Sequence, residues 1–263
     1  MGLTLDISFV LDAAAVSLTV IILAYASISD IREREVSNRV WVVYGPLAIA
    51  LTSFRIILFP SLFMIAIFSI ILLSLFSLTI FYLGLFGGAD AKALICISLA
   101  NPVFPQTISS FFPSFHPFLT LAVFYNSYLF SLVMAFHAII KNVLWKLQGK
   151  PLFKAFEKEK RTTRILMILS GYKTSLRDLE NNVALYPLEQ PDEMGLGRRI
   201  RLFTSAENER HRLIENLKII QANEVDGVWV SWGLPMIVFF FSAYLILVFL
   251  GDPMVSIIRL FIK

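Results

Sequence analysis

The sequence has little charge, one cysteine and none of the familiar motifs of metal, serine or nucleotide chemistry. Only 16% of its 263 residues are charged, against about 25% in an ordinary soluble domain, so the chain is not one that folds wholly in water. The single cysteine, Cys96, cannot build a disulfide framework or a cysteine-ligated zinc site. There is no His-Glu-x-x-His pair, no Gly-x-Ser-x-Gly elbow and no Gly-rich loop closed by Lys and Ser/Thr, which removes the usual zinc-hydrolase, serine-hydrolase and phosphate-cradle readings. His116, His137 and His211 are scattered and are read as structural. No metal and no cofactor is expected. A net charge of +4 carries little information by itself, and no nucleic-acid partner is expected.

What the sequence has is apolar length. It is 57% hydrophobic, with 24 Phe, and runs near the ~20 residues that cross a ~30 Å hydrocarbon core recur along it. Six can be drawn, at 7–28, 39–58, 61–83, 91–103, 118–140 and 228–250, the fourth being short and interrupted by Pro102 and Pro105. The expected fold is therefore an all-α polytopic membrane protein with six transmembrane helices. The first run lacks a basic start and is followed at once by a return to the membrane, so it is read as a permanent span rather than a cleaved signal.

Charge distribution orients these spans. Arg32, Arg34 and Arg39 lie between the first two runs, and sixteen of the 23 Lys and Arg lie between Lys141 and Lys218. Basic loops stay in the cytosol, and with six spans both segments fall on that side if the N-terminus is outside. The expected organisation is a membrane domain at 1–140, a soluble cytosolic domain at 141–227, and a sixth span with a short outer tail at 228–263. The insertion is read as small α+β or partly ordered. Thr204 and Glu207 form a capping-box pattern ahead of an amphipathic helix at about 205–222, and 164–170 fits either a buried strand or a helix.

Acidic groups bordering membrane segments are costly and point to function once interfacial placement has been weighed. Asp6, Asp12 and Asp252 lie at the outer boundary and are read as solvated. Asp30 closes span one and Asp90 opens span four on the cytosolic side, so two crossings return the chain to the same depth and the carboxyl groups can meet. A carboxylate pair shares a proton near neutrality and titrates as a unit. Its ionised member can deprotonate water while its protonated member hydrogen-bonds a peptide carbonyl. Taken singly, Asp30 could be a solvated helix end and Asp90 a helix N-cap.

The stretch Ser29-Asp30-Ile31-Arg32-Glu33-Arg34-Glu35-Val36-Ser37-Asn38, with Gly87-Gly88-Ala89-Asp90-Ala91-Lys92 about sixty positions later, resembles the two signature regions of type IV prepilin peptidases, and among them most closely the archaeal preflagellin peptidases. The layout of six spans with an insertion after the fifth, and Trp229, Val230 and Pro235 ahead of the last, is similar too. Ala89 stands where that family's Gly-x-Gly-Asp element has its second glycine, a change that matters if the backbone there needs positive φ.

The resemblance implies a membrane aspartic endopeptidase with Asp30 and Asp90 as its catalytic pair. Its expected partners are the lipid bilayer and a membrane-inserted preflagellin or pilin-like precursor, cut at the cytosolic face between a short basic leader and a hydrophobic helix. Methylation of the new N-terminus, found in some bacterial relatives, is not expected with a lone Cys96 and a short first loop. Gly87, Gly88 and Ala89 are expected to support the site by close helix approach. Arg32, Arg34 and Lys92 are read as headgroup anchors that could also bias the dyad toward charge, and Asn38 as a cap of span two or a hydrogen-bonding group near the site. Helix dipoles favour Asp90 as the ionised base and Asp30 as its protonated partner. The alternative is a transporter or proton pathway, although such proteins place acids nearer the midplane and often show repeats.

Overall fold

The computed structural model describes residues 2–105, 116–157, 159–191, 198–200, 210–221, 227–233 and 235–262. The capping-box pair Thr204 and Glu207 lies outside them. The chain forms two compact units, residues 1–131 with 235–263, and residues 132–234.

The first unit is helical. Among the described residues four helices are long and apolar enough to cross a membrane, spanning Ile7–Glu33, Asn38–Leu58, Pro60–Tyr82 and Leu119–Leu147, which makes this a multi-pass membrane protein. Its helices are α1 (Gly2–Glu33), α2 (Asn38–Leu58), α3 (Phe63–Tyr82), α4 (Gly88–Ala100), the first part of α5 (Leu119–Leu147), α9 (Met236–Phe249) and α10 (Pro253–Ile262). Their ends follow local chemistry. After α1 the chain turns at Arg34 (φ 57°), with Ser29 Oγ donating to the Glu35 carbonyl at 2.9 Å. Ser37 caps α2 by accepting the Arg39 N–H. Gly84 (φ 71°) ends α3, where the N–H groups of Gly84 and Leu85 reach back to the Phe81 and Ile80 carbonyls, a left-handed cap that suits glycine.

With 13 residues, α4 is only about 20 Å long, short of the hydrocarbon thickness. It is surrounded by protein instead, packed against α1, α2, α3 and α9, and it buries Ala91, Ala93, Leu94, Cys96, Ile97 and Ala100. The last carbonyls of a helix have no partner within it. Here Thr52 of α2 donates to the Leu99 carbonyl at 2.6 Å and Ser69 of α3 to the Pro102 carbonyl at 2.5 Å. Nearby, the Thr19 hydroxyl donates to the Ala15 carbonyl and accepts from Tyr44 and Asn101, at 2.8 to 2.9 Å.

The outer acids are not solvated as expected. Asp12 is 1% exposed and ion-paired with Arg55 of α2. Asp252 is fully buried, accepts from the Tyr125 hydroxyl and from Asn126 Nδ2, and caps α10 by accepting the Val255 N–H at 3.2 Å. The side chain of Asp6 lies outside the described residues.

The second unit comprises the end of α5 with α6 (Arg161–Ser170), α7 (Leu176–Asn181), α8 (Arg210–Gln221) and five short strands, β1 (Tyr172–Thr174), β2 (Leu185–Pro187), β3 (Glu189–Pro191), β4 (Arg198–Ile200) and β5 (Val228–Trp232). The ambiguous 164–170 run is helical. β5 lies between β1 and β2, antiparallel to both, with Tyr172 opposite Val230 and Leu185 opposite Trp232. This corrects the sixth span drawn from residue 228. Val228 and Val230 pack with Tyr172, Leu185 and Leu217, and Trp229 packs with Met167 and Leu188. Such a short β-branched and aromatic run suits a strand as well as a helix start. Beyond Gly233 and Pro235, α9 keeps only 14 residues.

Close backbone approach explains Gly171, where a Cβ would stand 2.4 Å from the Val230 carbonyl oxygen. Glu189, fully buried, accepts the Trp229 N–H at 2.8 Å and pairs with Arg198 at 3.3 Å. On α8, Ile214 and Leu217 point into the core, as the apolar spacing predicts.

Candidate active site

The site forms where the C-terminal end of α1 meets the starts of α2 and α4. Asp30 lies in the last turn of α1, its main-chain carbonyl accepting the Arg34 N–H at 3.1 Å. Asp90 is the third residue of α4 rather than its N-cap, a correction to the simple capping reading. Gly87 holds the cap position, with φ −69° and ψ 158°, and Asp90 Oδ2 accepts the Gly87 N–H at 3.1 Å.

The two carboxyl groups are brought within electrostatic reach, since the charge on Asp30 acts directly on Asp90. Arg34 is the cation that acts on Asp30. Asp90 precedes the apolar body of α4 and lies outside the four long spans. Burial first, and the Asp30 charge second, push its carboxyl up to about 7, against the opposing pull of the Gly87 N–H. The helix N-terminus alone favours charge on Asp90, but removal from water outweighs it.

The glycine-rich approach is tight but unstrained. Among the described residues Arg34 is the only non-glycine residue with positive φ, so Ala89, inside the first turn of α4, meets no penalty for replacing glycine. A Cβ on Gly87 would sit 3.2 Å from Asp90 Oδ2, whereas one on Gly88 would make an ordinary 3.6 Å contact with the Phe81 ring.

Asn38 does not cap α2, since Ser37 does. Asn38 is the first residue of the helix and accepts a hydrogen bond from Lys92 Nζ at 2.6 Å. Arg32 is exposed in the last turn of α1. His116 accepts the Phe118 N–H, and His137 packs on Tyr172 and Trp232.

One neighbour went unread in the sequence. Tyr128 of α5 feels the Asp90 charge and stacks on buried Phe86 at 6.3 Å between centroids, inside a cluster with Phe124. Nothing in a run so rich in Phe separates this tyrosine from a lipid-facing one.

Residues 17–140, which include both aspartates, match the model of the type IV leader peptidase family. Residues 163–253 match that of the archaeal peptidase A24 C-terminus, type II. The chain is also 26% identical, over 243 residues, to a preflagellin peptidase of Methanococcus voltae, an alignment covering 90% of this chain and 94% of that protein.

Proposed function

We propose, from its match to the type IV leader peptidase and archaeal peptidase A24 C-terminus models, that this chain is an aspartic endopeptidase of that family that removes the leader from a preflagellin or type IV pilin-like precursor at the cytosolic membrane face. The observation that carries this reading is the placement of two acids at helix ends that pack together, Asp30 in the last turn of α1 and Asp90 in the first turn of α4, where the Gly87 N–H holds its carboxylate.

In the proposed mechanism the pair holds one proton near neutrality. Asp90 carries it, reversing the order expected from the helix dipole, and donates to the scissile carbonyl oxygen. Ionised Asp30 removes a proton from water as the oxygen attacks the carbonyl carbon. Collapse of the tetrahedral intermediate expels the leaving amine, which takes a proton from the dyad. Gly87 fixes the Asp90 carboxylate, and Lys92 with Asn38 fixes the neighbouring helix starts.

The proposed topology keeps the N-terminus outside and the dyad and the second unit in the cytosol. In it α4 and α9 cross as short segments enclosed by longer helices, giving six crossings in all. The test is co-expression of a preflagellin with the wild-type chain, Asp30→Asn or Asp90→Asn, read as loss of the leader on a gel. Each variant is expected to leave the precursor uncut, and full processing by either removes the dyad from the mechanism.

A further inference from the structure

The second unit contains a cavity of about 680 Å³ that the peptidase reading does not use. Its rim carries Lys141 of α5 and Lys150, and Lys173 of β1 lies in its floor. Lys150 Nζ stands 4.4 Å from the centre of the Trp145 ring, so its charge is held at the rim by an aromatic face. Lys173 is 2% exposed, donates to the Pro151 carbonyl at 3.3 Å and is attracted to buried Glu189.

Among the described residues one carboxylate, Asp178, lines the cavity. Its Oδ2 accepts from Ser175 Oγ at 2.6 Å and Thr174 Oγ1 at 3.1 Å, and these hydrogen bonds, with Lys141 nearby, hold it below the usual carboxylate range. With Lys173 turned to Glu189, Lys141 and Lys150 against one ionised acid leave the described lining positive. Buried Asn142 stiffens the floor, donating to the Gly171 carbonyl and accepting the Lys173 N–H.

The cavity also borders an exposed apolar face of α5. Leu144 lines it and is 49% exposed, and Ile140, Val143 and Leu147 are exposed beside Leu144 at helical spacing. A cationic recess at the foot of an apolar helix face suits an anion carrying acyl or prenyl chains.

We propose that this cavity binds a phosphate anion, and that its occupant is the headgroup of an anionic phospholipid whose chains lie along Ile140 and Leu144. Inorganic phosphate shares the headgroup chemistry but lacks the chains.

The experiment uses the full chain returned to vesicles of phosphatidylcholine doped with phosphatidylglycerol, then extracted, with the retained lipid counted by native mass spectrometry. Phosphatidylglycerol is expected to be retained over phosphatidylcholine. Lys141→Gln with Lys150→Gln lowers that retention about thirtyfold, the loss expected from two lysine charges near a phosphate. Lys146→Gln, on the same helix but outside the cavity, leaves it unchanged. Lys141→Arg with Lys150→Arg keeps it, which separates lost charge from lost folding. Equal retention of the two lipids, or an equal loss in Lys146→Gln, overturns the lipid assignment. Titration with inorganic phosphate supplies the second arm: lysine-dependent binding without lipid selectivity assigns the site to a soluble phosphate, and absence of both removes it.

Discussion

Lys92 of α4 and Asn38 of α2 meet at 2.6 Å, with Nζ donating to Oδ1. The contact ties two helix starts together two residues beyond Asp90, on the side chain that the sequence gives equally well to a cap. Lys92→Met and Asn38→Ala are each expected to slow leader removal by roughly three- to tenfold, the scale of one charge-assisted hydrogen bond. The double variant should be no slower than the worse single one, because both remove the same contact. Additive losses in a timed cleavage series would show that the two residues act separately.

The pH dependence follows from Asp90. Its carboxyl is pushed up to about 7, so the neutral form persists through mild acid and is lost as pH rises through that value. If the dyad works with one proton, kcat/KM for a preflagellin peptide in detergent falls on the alkaline side with a midpoint near 7. A profile that stays flat through neutrality would show that Asp90 is not the proton donor.

The paired glycines are expected to behave unequally. Gly88→Ala adds a methyl at ordinary distance from Phe81 and should cleave at close to the wild-type rate. Gly87→Ala sets a Cβ 3.2 Å from Asp90 Oδ2, and the shift forced on that carboxylate should cost roughly ten- to a hundredfold in rate. Comparable rates for both variants would mean that the carboxylate position is not held at Gly87.

The Asp12–Arg55 pair is buried on both sides. Removing one member strands a charge, so Asp12→Leu or Arg55→Met alone is expected to destabilise the first unit by about 3–5 kcal/mol. The combined apolar replacement should cost much less. Thermal unfolding in detergent, followed by far-UV circular dichroism, checks the order of the three variants.

The multi-pass helical character of the chain was legible because apolar runs near the length of a hydrocarbon core recur along it; the common depth and side of Asp30 and Asp90 belong to the proposed topology. The cap of α2 is read one residue late, at Asn38, because Ser37 and Asn38 are both good N-cap residues and only the bond from the Arg39 N–H to Ser37 separates them. Pairing across helices was not legible. Asp12 and Asp252 resemble any interfacial acid until Arg55, Tyr125 and Asn126 are seen around them, and Asn38 resembles a cap until Lys92 reaches it. The Val228–Trp232 segment misled for a different reason. Its apolar residues satisfy a membrane span and a buried strand equally, and only pairing with Tyr172 and Leu185 decides between them.

The helix that carries Asp90 is anchored at its other end to hydroxyls of neighbouring helices, and so the carboxylate proposed as catalytic has a fixed elevation measured from inside the protein. Membrane thickness reaches it only through the outer helices, which can tilt or thin the surrounding lipid. A precursor whose apolar helix is lengthened would therefore shift its own scissile bond relative to a stationary cutter, making the enzyme a ruler as well as a blade.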